Sequence, residues 1–244
     1  MWSRGILKSN AKIALRGRYW TAFGVCVVGI LIGGAYSVVT SPTRSLTMAA
    51  ANSGDYSSLI ALSGVSSLVS LGSILFSVFV TLPLLIGISR YFVQNHFGVS
   101  QFEILFSPFR RNFINGVGAM FVTYLFIWLW SLLLVIPGIV KALQYSMVPF
   151  ILSDNPDMPG SRAREISRLM TNGQKGAIFV LGLSFIGWFL LGALCLGVGT
   201  LFVLPYYQAT MAELYLFLRD RVIQTNQVNP VEFGLLVQQP VPVE

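Results

Sequence analysis

Residues 175–221 read KGAIFVLGLSFIGWFLLGALCLGVGTLFVLPYYQATMAELYLFLRDR. Two nearly uninterrupted apolar runs, 177–196 and 200–218, are separated by Gly197-Val198-Gly199. Lys175 stands before them, and Arg219 and Arg221 stand after. A run of about 20 apolar residues matches the hydrocarbon core of a bilayer. Backbone polar groups in lipid must be satisfied within their own segment, so each run is predicted to be a helix. Three residues allow only a tight reversal. The stretch therefore predicts a transmembrane hairpin with both feet on one basic side.

The same grammar runs through the chain. Of its 16 basic residues, all but Arg44 and Lys141 fall in four groups at alternate gaps between apolar runs. These are Arg4, Lys8, Lys12, Arg16 and Arg18; Arg90, Arg110 and Arg111; Arg162, Arg164, Arg168 and Lys175; Arg219 and Arg221. Such segregation marks the cytoplasmic side of a multi-pass protein. Only 10% of residues are charged, 55% are hydrophobic, and mean hydropathy is +0.72. Soluble domains carry roughly 25% charged residues. The predicted fold class is all-α: a polytopic membrane bundle of about six helices in three hairpins, with short interfacial amphipathic helices. The spans are 20–39, 59–88, 113–136, 139–152, 177–196 and 200–218, with both termini cytoplasmic. Residues 1–221 form one membrane-embedded domain, 40–58 an external loop rich in Ser, Thr and Ala, and 222–244 a disordered cytoplasmic tail. Gly33-Gly34-Ala35-Tyr36-Ser37 offers small residues for signal cleavage, but the structured basic region ahead of span one predicts that the span is retained.

Arg4, Lys8, Lys12 and Arg16 recur every fourth residue, which on a helix is one stripe, with Ile6, Leu7, Ala11, Ala14 and Leu15 largely off it. The first 19 residues therefore read as a basic helix lying in the cytoplasmic interface, in contact with anionic headgroups. A second such helix is predicted over 161–170, with Ala163, Ile166, Leu169 and Met170 on one side. The net charge of +7 flanks apolar spans and lacks an aromatic–basic motif, which argues against nucleic acid. Cys26 and Cys195 sit inside apolar runs without CxxC partners, so neither disulfide nor metal ligation is expected. No cofactor is implied.

Several residues interrupt the pattern. Ser63, Ser66, Ser67, Ser70, Ser73 and Ser77 mark one face of span two, and Pro83 is expected to kink it. Span four, 139–152, reaches only about 21 Å at 1.5 Å per residue, against a core of about 30 Å. Pro137-Gly138 and Pro205 are predicted helix breaks. His96 reads as a solvated interface residue without a partner. Leu82-Pro83, Ile136-Pro137 and Leu204-Pro205, followed eight residues later by Tyr91, Tyr145 and Glu213, make a weak threefold echo.

Three segments carry a resemblance: the turn region Ile136-Pro-Gly-Ile139 with Tyr145–Pro156, the run Leu183–Leu191, and Pro205–Tyr215. With the N-terminal pattern Leu7-Lys8, Ala11-Lys12, Leu15, Gly17, Tyr19-Trp20, they resemble a bacterial integral membrane family catalogued as domain of unknown function 975. The resemblance implies a multi-pass protein of the bacterial cytoplasmic membrane and carries no catalytic residues with it. This chain departs from the family at Gln174-Lys175-Gly176, where the family often has His and a bulky aromatic residue flanking the lysine.

No HExxH, GxSxG, Walker loop or acid–base carboxylate pair occurs. Ionisable residues within spans are functional candidates because charge in lipid is costly. Lys141 and Glu213 qualify, and with Gln144, Tyr145 and Gln208 they outline a candidate polar vestibule. The threading sets Lys141 at the outer lip and Glu213 toward the inner interface, where Arg90 or Arg219 is its expected partner. The favoured reading is a non-enzymatic membrane module acting on lipids, a partner membrane protein or a second copy of itself. A small transporter or pore component is the alternative, and a membrane enzyme comes third.

Overall fold

The computed structural model describes residues 2–53, 56–194 and 197–235, and within them every side chain except those of 34–44 and 59. Ten α-helices and no strand occur among the described residues: α1 Arg4–Leu15, α2 Tyr19–Ser53, α3 Tyr56–Phe76, α4 Leu82–His96, α5 Phe113–Leu133, α6 Val135–Gln144, α7 Val148–Asp154, α8 Gly160–Thr171, α9 Lys175–Leu194 and α10 Val198–Gln224. Four candidate spans are long and apolar enough to cross a membrane: Tyr56–His96, Phe113–Leu133, Val135–Asp154 and Lys175–Leu194. A fifth is made if α1 and residues 19–33 of α2, bent by 100°, count as one broken span.

α10 is the axis of the body. From Ala209 to Leu216 every residue is buried, and α1, α2, α4, α8 and α9 pack around it. A helix covered on all sides by protein needs no lipid-like composition. This is why α10 carries Glu213 and Arg219 among its buried residues. Its hairpin with α9 is closed by glycine: a Cβ on Gly192 would lie 2.6 Å from the Thr200 nitrogen. Gly197 turns the chain at φ 78°, where a side chain would be strained.

Each proline expected to break a helix behaves differently. Tyr56–His96 is a continuous helical run of 41 residues. Ahead of Pro83 it widens into a π turn, Ser77–Thr81, in which the Leu82 N–H donates to the Ser77 carbonyl. The wider turn accommodates the ring without ending the helix. The run also outlasts its predicted end at 88, carrying Arg90 and His96 on helix. The break after α5 falls at Leu134, which is extended (φ −158°, ψ 142°), and Pro137 sits in the first turn of α6. Gly138 then packs directly on Ser131, closing the α5–α6 hairpin. Pro205 lies inside α10 without interrupting it. Span four is extended at both ends, because α6 and α7 with their intervening turn make one candidate of 20 residues.

Two segments read as irregular are ordered. The predicted loop 40–58 is helical over 40–53 and 56–58. Hydroxyl residues enter a helix by bonding carbonyls one turn back, as Ser53 does to Ala50 at 2.9 Å. The predicted tail from Val222 continues α10 to Gln224 and then forms a capped 3-10 turn, Pro230–Phe233, whose Phe233 is 1% exposed.

α1 is held by protein rather than lying alone. Its apolar row, Leu7, Ala11 and Leu15, is buried. The Trp2 indole N–H donates to the Gln174 Oε1 at 3.0 Å, Lys12 Nζ lies 5.7 Å from the Tyr206 ring, and the Tyr19 hydroxyl donates to the Phe202 carbonyl at 2.9 Å. Trp2, just ahead of α1, lines a groove with Phe217, Asp220 and Arg221, whereas Lys12 near the end of α1 faces Tyr206, so α1 runs antiparallel to α10. At the elbow the Arg16 N–H donates to the Ile13 carbonyl, the Arg18 N–H to the Leu15 carbonyl, and Gly17 takes φ 77°. α8 forms where its pattern predicts, burying Ala163, Ile166 and Met170.

Candidate polar site around α10

Two polar clusters lie on α10. In the first, Asp154, the last residue of α7, accepts hydrogen bonds through Oδ2 from the Tyr215 hydroxyl at 2.6 Å and from Arg219 Nη1 at 2.9 Å. Tyr215 is fully buried and stacks on Phe150, with centroids 5.3 Å apart. Arg219 is 8% exposed and also faces the Tyr215 ring. The fork of one guanidinium and one phenol on a single carboxylate oxygen fixes α7 against α10. Beside it an open groove of about 240 Å³ is lined in part by Arg90, Gln94, Asp154, Arg219 and Phe233.

In the second, His96 Nδ1 lies 2.5 Å from Glu213 Oε1. Glu213 is 5% exposed, whereas the His96 side chain is 37% exposed. Helix α4 extends far enough to deliver His96 to α10, which corrects the reading of this histidine as an unpartnered loop residue. It also gives Glu213 a partner other than Arg90 or Arg219. Close by, Arg18 Nη1 donates to the Asn95 carbonyl at 3.1 Å, tying the elbow to the end of α4. The Tyr91 hydroxyl donates to Thr21 Oγ1 at 2.9 Å, tying α4 to α2.

The other residues of the expected vestibule are distributed elsewhere. Lys141 Nζ lies 4.9 Å from the Trp130 ring and 5.8 Å from the Tyr145 ring, a cation–π site within the α5–α6 hairpin and the following turn. Gln144 is buried; its carbonyl accepts from the Ser167 hydroxyl at 2.7 Å and its Oε1 from Lys175 Nζ at 3.4 Å. Gln208 is half-buried on α10. No hydrogen bond or ion pair among the described residues joins Lys141 to Glu213. Of the basic stripe, Lys8 donates to the Ser184 carbonyl at 3.5 Å and lies 4.4 Å from the Phe185 ring. Arg4, Lys12 and Arg16 are exposed.

Three further ion pairs lie outside these two clusters. Arg111 pairs with Asp157 at 3.0 Å. Arg162 pairs with Glu165 and, through Nε, with Glu232 at 2.8 Å. The Arg162 hydrogen bonds hold the Glu232 carboxyl below the usual carboxylate range. Asp154 and Tyr215 lie in segments that carry the family resemblance but were not singled out as site residues, and Glu232 lies outside those segments. Scarcity was their available signal: with 9 acidic residues against 16 basic ones, each buried carboxylate has a cation or hydrogen-bond donor to meet. Cys26 is buried as a free thiol, and Cys195 lies outside the described residues.

Together these features define an all-helical protein with several membrane-length apolar helices, organised around one polar-threaded central helix. The chain belongs to the family described as Protein of unknown function (DUF975), which matches residues 66–222. The match runs from α3 into α10, so the α1 pattern lies outside it. No curated protein and no solved structure matches the chain.

Proposed function

We propose that this chain is a non-enzymatic module of the bacterial cytoplasmic membrane. It crosses the membrane through several of its long apolar helices, with both termini cytoplasmic. It acts by holding anionic lipid headgroups, or a partner membrane protein, against the basic face of α1. One observation carries this. The ion pairs among the described residues use Arg111, Arg162, Arg219 and His96 and leave Arg4, Lys8, Lys12 and Arg16 without a carboxylate. Because the apolar row of α1 is spent on α10, what the helix offers outward is charge. Anionic surfaces attract such residues by about 1 kcal/mol each.

The test is lipid enrichment. The protein in nanodiscs of mixed zwitterionic and anionic lipid is expected to concentrate the anionic component, and to lose most of that enrichment when Arg4, Lys12 and Arg16 are changed to Gln. Equal uptake by wild type and variant would reject the reading. The buried Glu213 favours a second reading, a small transporter, because a titratable group buried inside a membrane protein is a natural carrier of protons or cations. Transport in proteoliposomes unaltered by Glu213→Gln with Lys141→Ala would dismiss it.

A further inference from the structure

The elbow between α1 and α2 meets the end of α4 around an open cleft of about 380 Å³, lined by Asn10, Ile13, Ala14, Arg18 and His96. Asn10, Arg18 and His96 carry nitrogen donors, and no carboxylate is among the lining residues. Glu213 engages Nδ1 of His96 and is itself buried, so it orients the ring without lining the cleft. The ring's Nε2 has no protein hydrogen bond among the described residues. Arg18 is fixed through one nitrogen only, at the Asn95 carbonyl.

We propose that this elbow cleft binds a phosphate group, held by the Arg18 guanidinium, the His96 Nε2 and the Asn10 amide. A guanidinium presents two parallel N–H groups that match two phosphate oxygens. With Nδ1 tied to a carboxylate, Nε2 donates when the ring is charged and accepts from a protonated phosphate oxygen when it is neutral. The phosphate belongs to an anionic lipid headgroup or is free in solution. The proposal rests on the lipid-holding reading above and gives it a defined site.

The experiment uses the full chain in nanodiscs, in two arms: phosphatidylcholine doped with phosphatidylglycerol, read by native mass spectrometry, and phosphatidylcholine alone with inorganic phosphate, read by thermal unfolding. Wild type should retain one phosphatidylglycerol tightly or be stabilised by phosphate. Arg18→Gln and His96→Gln should each weaken that binding by about tenfold, the ratio expected for one charge-assisted hydrogen bond. Changing Arg4, Lys12 and Arg16 to Gln should spare the single tight site while reducing general enrichment. If Arg18→Gln fails to fold, Asn10→Leu tests the same cleft without touching the Arg18–Asn95 bond. Cleft variants that bind as wild type overturn the site while leaving the α1 reading intact. A wild type that binds neither phosphatidylglycerol nor inorganic phosphate overturns the site as well.

Discussion

His96 Nδ1 stands 2.5 Å from Glu213 Oε1, joining the last residue of α4 to the buried middle of α10. The contact spans 117 residues of sequence. A double-mutant cycle with His96→Ala and Glu213→Ala should therefore be non-additive, with a coupling of about 0.5–3 kcal/mol in detergent unfolding. Strict additivity would show that the two side chains do not support each other.

Asp154 accepts hydrogen bonds from both Tyr215 and Arg219 at the α7–α10 contact. Asp154→Ala leaves a buried guanidinium without its closest counter-charge and should cost about 3–5 kcal/mol. Tyr215→Phe removes a single hydrogen bond to that carboxylate and should cost about 1–2 kcal/mol. Chemical denaturation of both variants checks the order. Equal effects would mean that the charge pair is not the dominant partner.

The capped turn after α10 is clamped by Glu232 on Arg162. The folded carboxyl titrates below its ordinary value, because Arg162 hydrogen-bonds its ionised form. A depressed acid stabilises the fold above the unfolded pKa, and that contribution disappears as pH falls through the folded value. Hydrogen exchange of residues 225–235, corrected for the intrinsic rate at each pH, should accordingly rise on acidification below the usual carboxylate range. Glu232→Gln should start high and remain insensitive to pH. A wild-type turn equally protected at pH 3 and pH 7 would contradict this.

α1 is held through Leu7, Ala11 and Leu15. Truncating Leu7 and Leu15 to Ala should cost about 2–5 kcal/mol each, enough to free the helix locally. Limited trypsin digestion should then cut after Lys8, Lys12 or Arg16 while the rest of the chain stays intact. Wild-type resistance retained in the double variant would place the anchor elsewhere.

The resemblance at Leu183–Leu191 and Pro205–Tyr215 lies within the matched region 66–222, so family membership was legible in residues alone. So were the helical class and the α9–α10 reversal. Helix ends were less legible. Arg90 looked like the end of a span, yet α4 continues past it because its neighbours there are protein groups, including the Ser107 hydroxyl at 3.2 Å from Nη1. At Pro83, where the sequence places a kink, the helix runs on through a π turn just ahead of the ring. The 222–235 segment looked polar and loose until Phe233 found a buried seat.

Contiguous hydropathy and the spacing of charges are local quantities, and they determined by themselves that this chain is helical and carries membrane-length apolar runs. Which charge meets which is not local. His96 with Glu213, Asp154 with Arg219, and the apolar row of α1 laid along α10 depend on how far each helix extends and where it crosses another. Only the tertiary structure decided them, because a buried carboxylate takes whichever donor the packing delivers to it.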